Sequence, residues 1–196
     1  MILLAITPGL GFDRESWRTV LCSGVDGFLI REKELSTRAL LDAARFCQDT
    51  APEVALWVTG RLDVAVAAGC GLHAPEAHPE VAPGLVPLSR PLHHEDQWQD
   101  RSPVDQLLVS PVFFSPGKGE PWGAERLHRF LQSLPERGPR VLALGGVDPA
   151  KTHLLLHPRL AGIAAIRPFW KGEPRLAVDQ FRGSTDRSLP PPDRRD

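Results

Sequence analysis

Leu144-Gly145-Gly146-Val147 is the stretch that decides how this chain is read. It closes a short apolar run, Val141-Leu142-Ala143-Leu144, and leads into Asp148-Pro149-Ala150-Lys151, which reads as the opening of a helix. A glycine pair at a strand-to-helix junction lets backbone N–H groups approach an anion at the helix N-terminus. Alone the motif is common. Here it sits near the end of a chain that alternates strand and helix patterns throughout, where a (β/α)8 barrel binds phosphate.

Working outward, apolar runs predict strands over Ile2–Thr7, Val25–Ile30, Val54–Val58, Gly71–His73, Leu85–Leu88, Gln106–Val109, Val141–Leu144 and Gly162–Ile166. Helical spacing covers Asp13–Leu21, Leu35–Cys47 (with Ser36 or Thr37 as cap), Leu62–Ala68 before Gly69, Ala124–Leu134 and Pro149–Leu156. Single helical turns are expected at Glu95–Gln99 and Leu176–Phe181. Eight strands, mostly followed by helices, argue an α/β fold with a parallel sheet, and eight is the number that closes a barrel. With 196 residues, the loops and some helices must be minimal. The runner-up is an open doubly wound sheet, for whose glycine-rich first turn Pro8-Gly9-Leu10-Gly11 is a poor match. Residues 1–182 read as one domain. Residues 183–196, with Pro190-Pro191-Pro192, have too little apolar surface to pack and are expected to form a disordered tail.

Composition narrows the function. A net charge of −1 gives no electrostatic reason to expect nucleic acid or an anionic membrane as partner. Asparagine is absent, which excludes any Asn-dependent site. Cys22, Cys47 and Cys70 are far apart and form no CxxC pair, so zinc and redox motifs are unsupported; an odd count suits a reducing compartment. Met1–Ile6 is too short for a signal-peptide core and no apolar stretch can span a bilayer, so a cytoplasmic location is expected.

Reactive groups in such a barrel lie just beyond the C-terminal ends of the strands. Arg31 and Lys33, two apart on an extended segment, point the same way and suit a phosphate or carboxylate; the alternative is a buried Arg31–Glu32 ion pair with Lys33 solvated. In the loop Ser110–Gly119, Ser115, Gly117 and Lys118 can wrap a phosphate by hydroxyl, backbone N–H and ammonium, although loop lysines are usually solvated. His73 ends a strand and reads equally as an acid, base or ligand and as a packed core residue. His93-His94 follows the fifth strand and offers a proton shuttle or a solvated turn. Arg167 follows the last strand and either clamps the phosphate of Gly145-Gly146 or pairs with the final helix. Asp63, His73, Glu76 and His78 lack metal-ligand spacing, so no metal site is expected.

Several segments, in order, resemble the thiamine phosphate synthase/TenI superfamily: Gly24–Lys33, Thr59–Ala67, Gly71-Leu72-His73, Pro111–Lys118, Ala143–Val147 and Gly162–Ile166. The resemblance covers most of residues 1–182. It implies a TIM barrel that binds small phosphorylated thiamine precursors, with a homodimer as the possible assembly. In that family the synthase joins a pyrimidine pyrophosphate to a thiazole phosphate, and Mg²⁺ neutralises the departing pyrophosphate.

This chain departs from the synthase pattern. The family's Asn-Asp pair after strand three reads Thr59-Gly60, and its Asp after strand four reads His78. Leu29 replaces a pyrimidine-contacting Gln, Ser115 and Gly117 replace two threonines, and Arg167-Pro168 replaces a Ser-Gly phosphate contact. Gly60-Arg61 looks more like the TenI branch, whose tautomerisation of a thiazole carboxylate phosphate needs a phosphate anchor and a proton shuttle but no cofactor. That branch uses a His soon after strand five. Ungapped, Pro91 falls there; His93 or His94 serves if the loop is two or three residues longer. The expectation is therefore a metal-independent tautomerase in which Gly145, Gly146, Lys118 and Arg167 hold phosphate, Arg31 and Lys33 face the carboxylate or pyrimidine side, and His93 or His94 moves the proton. The alternatives are a divergent, Mg²⁺-dependent synthase and a non-catalytic binder of thiamine-related phosphates.

Overall fold

Eight short apolar segments form parallel strands: β1 (Ile2–Ile6), β2 (Gly27–Ile30), β3 (Ala55–Thr59), β4 (Gly71–His73), β5 (Leu88–Leu92), β6 (Gln106–Val109), β7 (Arg140–Leu144) and β8 (Leu160–Ala165). The structure, a computed structural model, describes residues 1–101 and 103–186. Each strand pairs with the next and β8 returns to β1, so the sheet closes into a barrel as the strand count predicts. A closed parallel sheet is covered on both faces, which is why β1, β2 and β6 read as nearly unbroken apolar runs.

Two cores follow from the pleat. Leu4, Ile6, Leu29, Trp57, Leu108, Leu142 and Ala164 fill the barrel interior. The alternate residues, such as Leu3, Phe28, Ile30, Val58 and Ile163, pack against the surrounding helices. Burying a side chain of this size contributes roughly 1.5–3 kcal/mol. The interior holds one indole because its register partner is a glycine: a Cβ on Gly71 would collide with the Trp57 ring. Gly162 likewise admits the backbone of Ile2 where β8 meets β1.

The outer layer is α1 (Arg14–Leu21), α2 (Thr37–Thr50), α3 (Leu62–Ala68), α4 (Gly123–Ser133), α5 (Arg167–Trp170) and α6 (Pro174–Asp186). Ser36 caps α2, its side chain accepting from the Ala39 N–H, and α3 stops at Gly69 in the left-handed conformation. Trp17 of α1 packs edge-on to Phe12 and against Phe28 of β2, tying the first helix to the sheet.

Four elements differ from the sequence-based expectation, the short α5 among them, for which no helical spacing is read. The fifth strand is Leu88–Leu92, not Leu85–Leu88. Pro91 is tolerated because it lies past the end of β4, which pairs only with Leu88 and Ser89, so no ladder hydrogen bond is lost. The helix expected over Pro149–Leu156 shrinks to a 3-10 turn, Thr152–Leu155. There Asp148 takes the Lys151 N–H on its own side chain and backbone carbonyl, a local alternative to a helical start. The last helical turn, expected over Leu176–Phe181, is the thirteen-residue α6, which absorbs residues 183–186 of the expected tail. Polar anchors hold its end: Arg182 donates to the Gly24 carbonyl and Asp26, and Ser184 to the Pro149 carbonyl. Residues 187–196, the rest of that tail, lie outside the described residues.

Candidate functional site

At the C-terminal ends of the strands lies a cavity of about 1130 Å³. Its floor is apolar, made by Ile6, Leu29, Leu108, Leu144 and Ala164; its rim carries Arg31, Lys33, Ser115, Lys118, Lys151, Arg167 and Lys171.

Arg31 and Lys33 line this cavity together. Glu32, between them, turns the other way, is buried, and accepts the N–H groups of Gly9 (3.0 Å) and Gly11 (2.7 Å). Among the described residues it makes no ion pair with Arg31; its role is to pin the loop after β1. The Arg31 N–H donates to Thr7 Oγ1 at 2.8 Å, which fixes the backbone from which the guanidinium projects.

Gly145 and Gly146 line the cavity at φ +91° and +66°. A Cβ on Gly146 would lie 2.6 Å from the Phe114 carbonyl oxygen, and one on Gly145 2.8 Å from the Pro111 Cα. The loop after β6 runs flush against this turn, Val112 N–H donating to Leu144 and Phe113 N–H to Gly145. Glycine is therefore required by positive φ and by close approach of protein backbone; the α-helix N-terminus that the sequence suggested behind it is absent. The same packing seats Ser115 and Lys118 on the rim, whereas Gly117 lies at the exposed loop tip outside the lining.

His93 follows β5 directly, because the strand lies further along the chain than its apolar pattern indicates. It lines the cavity. Its Nδ1 is 2.7 Å from the Ser110 carbonyl oxygen, which can only accept, so Nδ1 carries a hydrogen and Nε2 is the acceptor nitrogen of the neutral tautomer. Trp122 Nε1–H donates to the His93 carbonyl at 2.8 Å and holds the backbone. His94 is exposed and outside the lining. Two of the expected groups thus separate: His93 joins the site and His94 does not.

His73 lines the cavity as well, its Nδ1 3.0 Å from Ser89 Oγ. Burial, reinforced by the charges of Arg31 and Arg90, pushes its pKa down to about 4. Lys151 and Lys171 were not singled out from the sequence; both lie within a few residues of a strand end, the one signal that marks them. Lys151 pairs with Asp148 at 2.9 Å and lies over the Phe113 ring.

The carboxylates nearby are otherwise engaged or single. Asp63 is held by Arg61, whose hydrogen bond lowers its pKa, and lies outside the lining. His78 donates Nδ1–H to the Pro79 carbonyl. Gln97 donates to Glu76 at the cavity edge. Among the described residues no group of three or more His, Cys, Asp or Glu is placed to hold a metal ion.

Comparison with known proteins gives a consistent picture. The family described as thiamine monophosphate synthase matches residues 13–169. A thiamine-phosphate synthase of Albidiferax ferrireducens is 31% identical over 157 residues, 73% of this chain and 70% of its own length. One of Koribacter versatilis is 28% identical over 179 residues, 84% of this chain and 82% of its own. The solved structure of a thiamine phosphate pyrophosphorylase from Pyrococcus furiosus superposes with a TM-score of 0.82 at 22% identity, covering 96% of this chain and 97% of that one, a likeness of fold. Among the described residues no helix is long and apolar enough to cross a membrane.

Proposed function

This chain belongs to the thiamine monophosphate synthase family, and on that premise we propose that it is an enzyme acting on phosphorylated thiamine precursors, with transfer of a pyrimidine group onto a thiazole phosphate as its first reading. The names of its curated relatives favour this transferase over the tautomerase expected from the sequence. The observation that carries it is one cavity with cations on opposite walls: Arg31 and Lys33 after β2, and Lys118 four strands away after β6. Arg167 and Lys171 after β8 and Lys151 after β7 complete the rim. Two phosphorylated substrates need two such ends.

In this reading Lys118, Arg167 and the Gly145-Gly146 turn hold the thiazole phosphate, and Arg31 and Lys33 hold the pyrophosphate. As the bond from the pyrimidine's carbon to pyrophosphate breaks, its electron pair leaves with the pyrophosphate, and the thiazole nitrogen forms the new bond to that carbon. Fixed cations at the departing group stabilise the charge as it develops; removing one such contact typically costs about 3 kcal/mol in the transition state. The Mg²⁺ that the family implies finds no fit: Gly60 and His78 stand where its two carboxylates are expected, and no metal-holding cluster is present among the described residues. No step is assigned to it.

A second reading rests on His93. A cavity-lining imidazole whose Nδ1–H is committed to the Ser110 carbonyl leaves Nε2 to take and return a proton, as tautomerisation of a thiazole carboxylate phosphate requires. One experiment separates the readings. The purified protein is given pyrimidine pyrophosphate plus thiazole phosphate, with Mg²⁺ or with EDTA, and separately the thiazole carboxylate phosphate followed by NMR. Thiamine phosphate with release of pyrophosphate is expected. Accelerated aromatisation alone would replace the transferase by the isomerase. Saturable binding without turnover would overturn both in favour of a binding protein.

A further inference from the structure

Inside the barrel, Thr59, His73, Ser89 and Gln106 sit side by side on β3 to β6, each the register partner of the next. Ser89 and Gln106 are buried. The Gln106 amide nitrogen, which can only donate, lies 3.4 Å from Ser89 Oγ. The Ser89 hydroxyl has one hydrogen, and the acceptor within its reach among the described residues is His73 Nδ1 at 3.0 Å. A ring whose Nδ1 accepts is the neutral tautomer with its hydrogen on Nε2. That Nε2 has no partner among the described residues and is not sealed from the cavity that His73 lines.

We infer that the Gln106→Ser89→His73 chain makes His73 a fixed, neutral hydrogen-bond donor to an acceptor atom of the substrate, with Ser89 and Gln106 as positioning residues. The ligand contact rests on the reading of this cavity as the substrate site. Burial keeps the ring uncharged at neutral pH, since its pKa falls to about 4. The neutral tautomer of His93 has the opposite polarity, because its Nδ1–H is committed to Ser110 and leaves Nε2 as the acceptor. One cavity thus offers a donor nitrogen from β4 and an acceptor nitrogen from the end of β5. That pair selects a ligand presenting a bare acceptor, such as a ring nitrogen or a carboxylate or carbonyl oxygen, beside a donor or an acidic hydrogen. An analogue lacking the acceptor leaves the His73 N–H unpaired.

Long-range ¹H–¹⁵N NMR of the full chain with labelled histidine reads the tautomers directly, His73→Gln and His93→Gln giving the assignments. The expected result at neutral pH is His73 protonated on Nε2 and His93 on Nδ1. Ser89→Ala erases the His73 bias. Gln106→Glu reverses it, because a carboxylate accepts the Ser89 hydrogen and Ser89 Oγ then accepts from Nδ1–H. A wild-type His73 protonated on Nδ1, or a bias indifferent to both variants, overturns the chain. The ligand contact is read by titrating thiazole phosphate: Ser89→Ala binds about ten-fold more weakly and Ser89→Thr recovers the affinity. Equal binding by wild type and Ser89→Ala overturns the contact. Absence of binding to wild type overturns the substrate reading and the contact with it, while the tautomer result still decides the chain.

Discussion

Gly146→Ala is expected to destabilise the protein by about 2–5 kcal/mol, and the structure supplies its own control. Gly146 and Gly69 have nearly the same φ, +66° and +64°. An alanine at either carries the cost of a left-handed conformation, on the order of 1–2 kcal/mol. Their surroundings differ. A Cβ on Gly69 meets nothing within 4 Å, whereas on Gly146 it falls 2.6–2.8 Å from the backbone of Phe113 and Phe114. Backbone cannot rotate aside as a side chain can, so the loop after β6 must shift, at a further cost of about 1–3 kcal/mol. Urea unfolding of both variants measures the difference: Gly69→Ala loses about 1–2 kcal/mol and Gly146→Ala clearly more. The shift should also move Ser115 and Lys118, so Gly146→Ala weakens binding of thiazole phosphate while Gly69→Ala does not. Equal destabilisation, within about 0.5 kcal/mol, would refute the claim that close approach of backbone, rather than φ alone, demands glycine there.

Other outcomes follow from features already described. Native His73 takes up a proton only near pH 4, whereas an unfolded histidine does so near 6.5. Its contribution is full above pH 6.5 and is lost as the pH falls towards 4, by about 3 kcal/mol in all. Unfolding curves of wild type and His73→Gln across that window should converge at low pH, and parallel curves would contradict the burial argument. Burial pushes the Cys47 thiol up to about 12 and the Cys70 thiol up to about 11, while Cys22 is exposed. A thiol reagent at neutral pH should label Cys22 quickly and the other two only on unfolding; fast labelling of all three would place them differently. Ser36→Ala removes the α2 cap and should cost about 1 kcal/mol in urea, while Ser36→Asp should keep most of it.

The barrel was legible because its pattern is physical. β4, β6 and α3 fall on the predicted residues, each a short run closed by a breaker: Pro75 beyond β4, Pro111 beyond β6 and Gly69 after α3. β5 was misplaced for the converse reason. Its inward residues, Ser89 and Pro91, face a cavity and a polar chain rather than a core, so apolar periodicity pointed to Leu85–Leu88 instead. The error passed to the site: with β5 ending at Leu92, His93 needs no lengthened loop to follow the strand. The cations after β2, β6 and β8 were readable from their distance to strand ends. The Ser89–Gln106 chain was not, since what identifies it is register across neighbouring strands, which a single sequence does not display.

Closure of the sheet has a consequence for how the chain comes into being. β1 leaves the ribosome before the other strands and has β8 as one of its two neighbours. The Trp170 indole that donates to the Ile6 carbonyl is 164 residues away in sequence. Joining ends so distant costs loop entropy before any contact offsets it, and such topologies fold slowly. Until the last strand emerges, β1 is an open apolar edge, the kind of surface that recruits other chains. The nascent protein should therefore depend on chaperones late in synthesis, and a chain truncated before Leu160 should aggregate rather than persist as a seven-stranded sheet.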